Sequence, residues 1–379
     1  MHKKSILYKA AIFALTLFSI NTGFAQTTPP PSTAIGQGGQ VLTTAVPILL
    51  VGPDARSAAL GDAGVALSPD ANASYWNAAK LGFVENDINV VFSYSPWLRE
   101  ITDDMSLNYL SGYKKINETS AIAVSLMYFD LGEIQFTEGP GMEGKEYRPK
   151  EFAVSVAYGQ ALSEYLSLGV AARFIRSNLA GDVNVSSSGG NYEAQPGNTA
   201  AVDVSAYYNR DLSQQINLGL GVNITNIGGK IAYSEDRDKS FLPTNLKLGT
   251  AVKYNLDAFN NLTLLVDANK LLVPSPNADR DQSVVAGIFS SFGDATGGAS
   301  EEFKEVNFST GLEYWYNNLF AARAGYFYEN PDKGGRQYFS MGLGIRYQKF
   351  GVDAAYLIPN DQNNPLAQTL RFSLALNLE

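Results

Sequence analysis

The side chains that do most protein chemistry near neutral pH are almost missing from this chain, which has no cysteine and a single histidine, His2. Met1–Ala25 reads as a secretory signal peptide, so His2 is expected to leave with it. Lys3, Lys4 and Lys9 supply the positive flank, and Ile6–Ile20 an apolar core too short to span a bilayer as a helix. Gly23-Phe24-Ala25 offers a small-residue cleavage site before Gln26. No cysteine follows the apolar core, so this is not lipoprotein export. Without imidazole or thiolate, a Ser-His-Asp site, a cysteine nucleophile and a His/Cys zinc site cannot be built. A carboxylate pair and an all-oxygen calcium site remain formally open. Asn277-Ala278-Asp279-Arg280-Asp281 gathers oxygen ligands but lacks the calcium-loop pattern. Gly219-Leu220-Gly221 and Gly342-Leu343-Gly344 precede no helix, so they make no phosphate cradle. The expectation is a protein that is not an enzyme and carries no cofactor and no metal.

Charge points the same way. The formal charge of -9 becomes -12 once the three signal-peptide lysines are gone. An acidic mature chain with scattered cations argues against nucleic acid or anionic lipid as the main partner. The charges that do stand out fall on alternating segments, facing the same side as partners of opposite sign. Glu313 and Arg323 lie either side of Asn317-Asn318, Arg346 and Asp353 flank Lys349, and Lys253 and Asp267 flank Asn260-Asn261. Arg173 and Asp203 fall on adjacent segments. Such pairs serve as a polar pathway or, more simply, as a paired interior network, because an unpaired buried charge is costly.

The segments that carry them alternate with period two. In Ile216–Thr225, Ile216, Leu218, Leu220, Val222 and Ile224 oppose Asn217, Gly219, Gly221, Asn223 and Thr225. Gln337–Tyr347 and Leu370–Leu378 repeat the pattern. Fourteen segments read this way: Ile88–Trp97, Met105–Lys115, Ala121–Asp130, Glu151–Leu162, Tyr165–Arg176, Ala201–Asp211, Ile216–Ile227, Asn245–Leu256, Asn261–Leu272, Glu305–Tyr316, Leu319–Tyr328, Gln337–Gln348, Phe350–Ile358 and Gln368–Leu378. Most run to roughly nine to twelve residues, the reach of a tilted membrane strand rather than of a sandwich strand. The number is even, and long odd-numbered loops alternate with tight even-numbered turns. Aromatic pairs such as Tyr94 and Trp97, or Tyr347 and Phe350, sit near segment ends, as in the girdles of a membrane barrel. These features predict an all-β, transmembrane antiparallel β-barrel of 14 strands over residues 86–379.

Residues 41–85 do not alternate. Asp54–Leu60 reads as a short helix, Gly61-Asp62-Ala63-Gly64 as a tight turn and Asp70–Leu81 as a second helical piece. This is expected to be an N-terminal lumen plug, with Arg56 and Asp62 near the inward charges. Residues 26–40, rich in Pro, Thr, Ser and Gly, are expected to be a flexible leader after the signal peptide of residues 1–25.

The run Pro53-Asp54-Ala55-Arg56-Ser57-Ala58-Ala59-Leu60-Gly61-Asp62-Ala63-Gly64-Val65-Ala66 resembles the amino-terminal signature of the PorV family, also called LptO. Ser68–Asn72 and Trp76–Lys80 continue it, and Leu265–Pro274 resembles the family's Asp-x-Asn-Lys segment. Asn77-Ala78-Ala79 departs from the Asn-Pro-Ala of FadL-like chains. The resemblance implies a FadL-like barrel of the type IX secretion system in the outer membrane, among its lipids and lipopolysaccharide. It implies binding of the C-terminal signal domains of secreted cargo leaving the translocon barrel, and delivery to the surface sortase and attachment complex. Trp97 and Leu98 in one loop, and Phe136 and Met142 in another, are candidate partner contacts. The rival expectation is a FadL-type transporter of fatty acids or other hydrophobic solutes, which needs an apolar inner pocket.

Overall fold

The computed structural model describes residues 41–379 apart from 100–101, 137–144, 180–182, 188–189, 235–238, 277, 280, 361–368 and 379. Met142 therefore lies outside the described residues, as do two residues of the candidate calcium string.

Fourteen antiparallel strands close on themselves. They are β1 (Ile88–Pro96), β2 (Met105–Asn117), β3 (Ser120–Leu131), β4 (Lys150–Ala161), β5 (Leu166–Asn178), β6 (Gly197–Asp211) and β7 (Ile216–Gly228). The second half is β8 (Asn245–Asn255), β9 (Asn260–Leu271), β10 (Val306–Tyr316), β11 (Phe320–Tyr328), β12 (Gln337–Tyr347), β13 (Phe350–Pro359) and β14 (Leu370–Leu378). Closure is made by β1 on β14, with Ile88 opposite Leu378 and Tyr94 opposite Phe372. The ring thus has no free edge to template another chain. All fourteen expected segments form strands. The largest shift is at β6, which begins at Gly197 rather than Ala201 because Gly197 to Ala200 still pair with β5.

Alternation along each strand does what the pattern implied. On β12, Phe339, Met341, Leu343 and Ile345 are outward and exposed, while Ser340 faces in and is buried. Val202 and Val204 of β6 point outward either side of a register shift against β7, and Ser205 points in. An apolar outside and a polar inside is the inverse of a soluble protein and suits lipid around the ring. Among the described residues no helix is long and apolar enough to cross a membrane. Two small hairpins, Ile134–Phe136 with Lys145–Tyr147 and Val183–Ser187 with Gly190–Ala194, extend two of the long connections.

The inside of the ring is occupied by the N-terminal segment. It enters beside the long loops, where Ala45 N–H donates to Phe241 O at 2.9 Å, and leaves beside the tight turns, where Lys115 N–H donates to Asp87 O at 2.8 Å. Two one-turn helices punctuate it, α1 (Ala55–Ala58) and α2 (Ala73–Trp76). Asp54 starts α1 by accepting from Ser57 N–H at 2.8 Å, the usual device for an orphan donor of a first turn. Its other oxygen takes the Trp76 indole N–H at 2.6 Å, tying the two helices together.

Candidate functional site

The inward glycines of the barrel are where the segment sits closest. A Cβ on Gly325 would lie 2.1 Å from Gly61 N, one on Gly169 2.2 Å from Ala79 N, and one on Gly221 2.6 Å from Val65 O. Backbone is laid on backbone, which only residues without side chains allow. Gly61 itself has φ +68°, and its N–H donates to Ser340 Oγ at 2.9 Å.

Polar side chains then lock the segment in place. Arg56 meets Glu313 through two bonds, Nε to Oε2 at 3.0 Å and Nη2 to Oε1 at 2.8 Å. It also reaches Asp70 at 3.1 Å. Glu313 accepts from Arg323 at 2.7 Å, Arg323 reaches Asp353 at 2.8 Å, and Asp353 takes Arg346 at 2.6 Å. A five-membered chain of alternating charge therefore runs from α1 across β10, β11, β13 and β12, with Arg56, Glu313, Arg323 and Asp353 all buried. Alternation sets an opposite charge on either side of each buried one, although Arg323 Nη2 keeps no hydrogen-bond partner among the described residues. Asp62 joins Arg371 at 3.1 Å and accepts the Tyr338 hydroxyl. Arg173 and Asp203 pair at 3.0 Å, and Arg173 also donates to Asn226.

The expected pairing of Lys253 with Asp267 does not form. The register sets Lys253 opposite Thr263 and Asp267 opposite Gly249. Asp267 instead accepts Gly64 N–H at 2.8 Å and Val65 N–H at 3.0 Å. Lys253 lines a polar cavity of about 710 Å³ at the turn end, in a wall rich in Asn209, Asn217, Asn255, Asn261 and Asn377. The resemblance motifs thus have structural duties. In Asp267-Ala268-Asn269-Lys270, Asp267 holds the Gly61–Gly64 turn, and Lys270 clamps Glu302 at 2.8 Å and Glu305 at 2.6 Å. Asn77 donates to Val65 O and Ala206 O, both at 3.1 Å, so Asn77-Ala78-Ala79 still pins segment to barrel.

At the loop end, Trp97 is half-buried and stands edge-on to Phe129 with centroids 5.6 Å apart. Leu98 beside it is half-buried with φ 50°. Phe136 lies in the first small hairpin. A second apolar feature escaped the sequence reading. In the connection between β9 and β10, helix α3 (Val284–Ser290) turns Val285 and Phe289 outward, and Phe292 follows at the same helical spacing. Phe289 is 74% exposed, unusual for a ring away from the lipid-facing strands. Its sequence signal is the i, i+4, i+7 spacing of Val285, Phe289 and Phe292, set between segments of period two. A further helix, α4 (Ala299–Lys304), is held by two lysines. Lys333 reaches Glu301 at 2.6 Å and Glu305 at 3.1 Å, sharing Glu305 with Lys270.

A closed fourteen-strand barrel, apolar outside and filled within by its own N-terminal segment, defines an outer-membrane transport or secretion barrel. The sequence matches the family described as type IX secretion system protein PorV over residues 34–278, and the chain belongs to that family. Among solved structures it is similar to the Pseudomonas putida toluene transporter TodX, with TM-score 0.53 and 12% identity over 86% of this chain and 96% of that one. The Ralstonia pickettii toluene transporter TbuX gives TM-score 0.52 and 11% identity over 86% and 99%. A Pseudomonas aeruginosa FadL homologue gives 0.46 and 13% over 90% and 100%. At these identities the first two likenesses concern the barrel fold. Comparison with curated protein sequences gives no match.

Proposed function

We propose that this chain is a non-enzymatic outer-membrane component of the type IX secretion system that binds the C-terminal signal domain of secreted cargo. It takes cargo leaving the translocon barrel and hands it to the surface complex whose sortase attaches it. The observation that carries this reading is the family match taken with a lumen already filled by residues 45–84. A folded domain does not enter such a lumen, so binding falls to the loop end. The α3 stripe, Trp97, Leu98, Phe136 and Met142 are the candidate contacts. Apolar anchors within a charged rim suit a protein interface. In the same proposal residues 41–85 form a plug, and residues 1–25 are removed on export.

The second reading, passage of a hydrophobic solute, draws on the barrel fold shared with proteins described as toluene transporters. Against it, the turn-end cavity is walled largely by carboxamides and charge. Gene deletion separates the two. The shuttle reading expects type IX cargo to remain unprocessed or unattached while long-chain fatty acid uptake stays normal. The reverse pattern would replace it with transport.

A further inference from the structure

A small interior cavity of about 60 Å³ lies between the segment and the barrel wall, bounded by Val51, Asp62 and Trp76 on one side and Lys247, Asn269 and Arg371 on the other. One water needs roughly 10–15 Å³ on this measure, so the space holds more than a single molecule.

Its electrostatics are unbalanced. Arg336, also in the wall, is matched by Glu329 at 2.8 Å, and Arg371 by Asp62 at 3.1 Å. Lys247, 5% exposed, has no carboxylate within ion-pair distance and no hydrogen-bond acceptor among the described residues. Of the nearby acids, Asp203 is held by Arg173 and the Asn226 N–H, while Asp267 accepts the Gly64 and Val65 N–H groups through Oδ2 and lies beyond ion-pair distance of Lys247. What Lys247 has are the faces of Tyr75 and Trp76, with Nζ 4.7 and 4.8 Å from their centroids. Ring faces return part of the lost hydration of an ammonium but accept none of its protons in true hydrogen bonds. The Asn269 carboxamide lines the same space and also lacks a hydrogen-bond partner among the described residues. A buried ammonium with surplus donors and no directly paired carboxylate leaves a place for an anion.

We infer that this cavity is a binding site for one chloride-sized monovalent anion, held by the Lys247 ammonium and the Asn269 carboxamide. The anion sits where β8 and β9 face Val51 and Trp76 of the N-terminal segment across one cavity, so it helps fasten the segment in the lumen. The inference stands apart from the cargo reading and survives its failure.

The test uses the purified full-length barrel in detergent. Its unfolding midpoint is followed as sodium bromide replaces sodium gluconate at constant ionic strength. Anion binding to the folded state alone multiplies the folded-to-unfolded ratio by one plus the bromide concentration over its Kd. The midpoint should therefore climb steadily with bromide, and Lys247→Met should abolish the climb. Crystals soaked in bromide should show one anomalous peak beside Lys247 Nζ, which covers the case in which the variant does not fold. A midpoint that ignores bromide, the same climb in Lys247→Met, or a cavity holding only water or an adventitious ion also seen without Lys247, overturns the inference.

Discussion

Arg56 of the N-terminal segment and Glu313 of β10 are 257 residues apart in sequence and share two hydrogen bonds inside the barrel. The pair is the junction between segment and wall, because Glu313 carries the rest of the charge chain through Arg323.

Glu313→Ala should therefore loosen the segment. Breaking one partner of a buried pair leaves the other charge uncompensated, at a cost of about 3–5 kcal/mol. Unfolding of the purified barrel should shift by that order, and Arg56→Ala should add little to it because both changes break one network. Strict additivity of the two would show the pair to be unimportant. Surface binding of a cargo signal domain should persist wherever the barrel itself stays intact.

Gly325→Val should be worse than its small volume suggests. The added Cβ meets the Gly61 backbone, which has no rotamer to move away. Overpacking typically costs about 1–3 kcal/mol, and contact with backbone sits at the upper end or beyond. Raised single-channel conductance in planar bilayers is the expected readout. Conductance equal to that of the unsubstituted protein would show that the wall yields instead.

The intact protein should conduct ions poorly, and removal of residues 54–84 should open it. A large steady conductance from the full chain would dismiss the plug.

Tags placed at Gly298 or Gly334 should be reachable on intact cells, and tags at Asn317 or Asn261 should not. Labelling of Asn317 from outside would invert the barrel.

The connection between β9 and β10 should be ordered only in a middle pH window. The Lys333 hydrogen bond, with the Gly297 N–H, holds Glu301 below its ordinary 4.5. Burial alone would lower Lys333, but the hydrogen bonds it donates to Glu301 and Glu305 raise it above 10.5. A depressed acid gives stability above its unfolded pKa that is lost as pH falls through the folded value. A raised base gives stability below its unfolded pKa that is lost as pH rises through the folded value. Protection of residues 284–304 from proteolysis should be full between about pH 4.5 and 10.5, the two unfolded values, and be lost only as pH falls through the lower folded value of Glu301 or rises through the higher one of Lys333. The same protection profile in Glu301→Gln would show that the Glu301–Lys333 pair does not hold α4.

Strand number, inside and outside faces, and the long-short rhythm of the connections were legible because they are local. Period two along a strand fixes which side a residue faces without reference to any other part of the chain. Glu313 and Arg323 were legible for the same reason, since a tight turn sets them directly opposite. Arg346 and Asp353, also across one turn, meet as expected.

What the sequence by itself determined, then, is the ring and the polarity of its two faces, together with the absence of imidazole and thiolate chemistry beyond His2. Only the tertiary structure decided who meets whom across the lumen. Lys253 and Asp267 shared a face and flanked a turn, yet Asp267 bonds Gly64 and Val65 instead. Two inward residues of one hairpin meet only if the register brings them near, and it sets Lys253 and Asp267 four residues apart, against two for Arg346 and Asp353. The path of the N-terminal segment then settles which inward group finds a partner. That path follows from backbone contact with glycines on distant strands, a property of the closed barrel that no stretch of sequence carries alone.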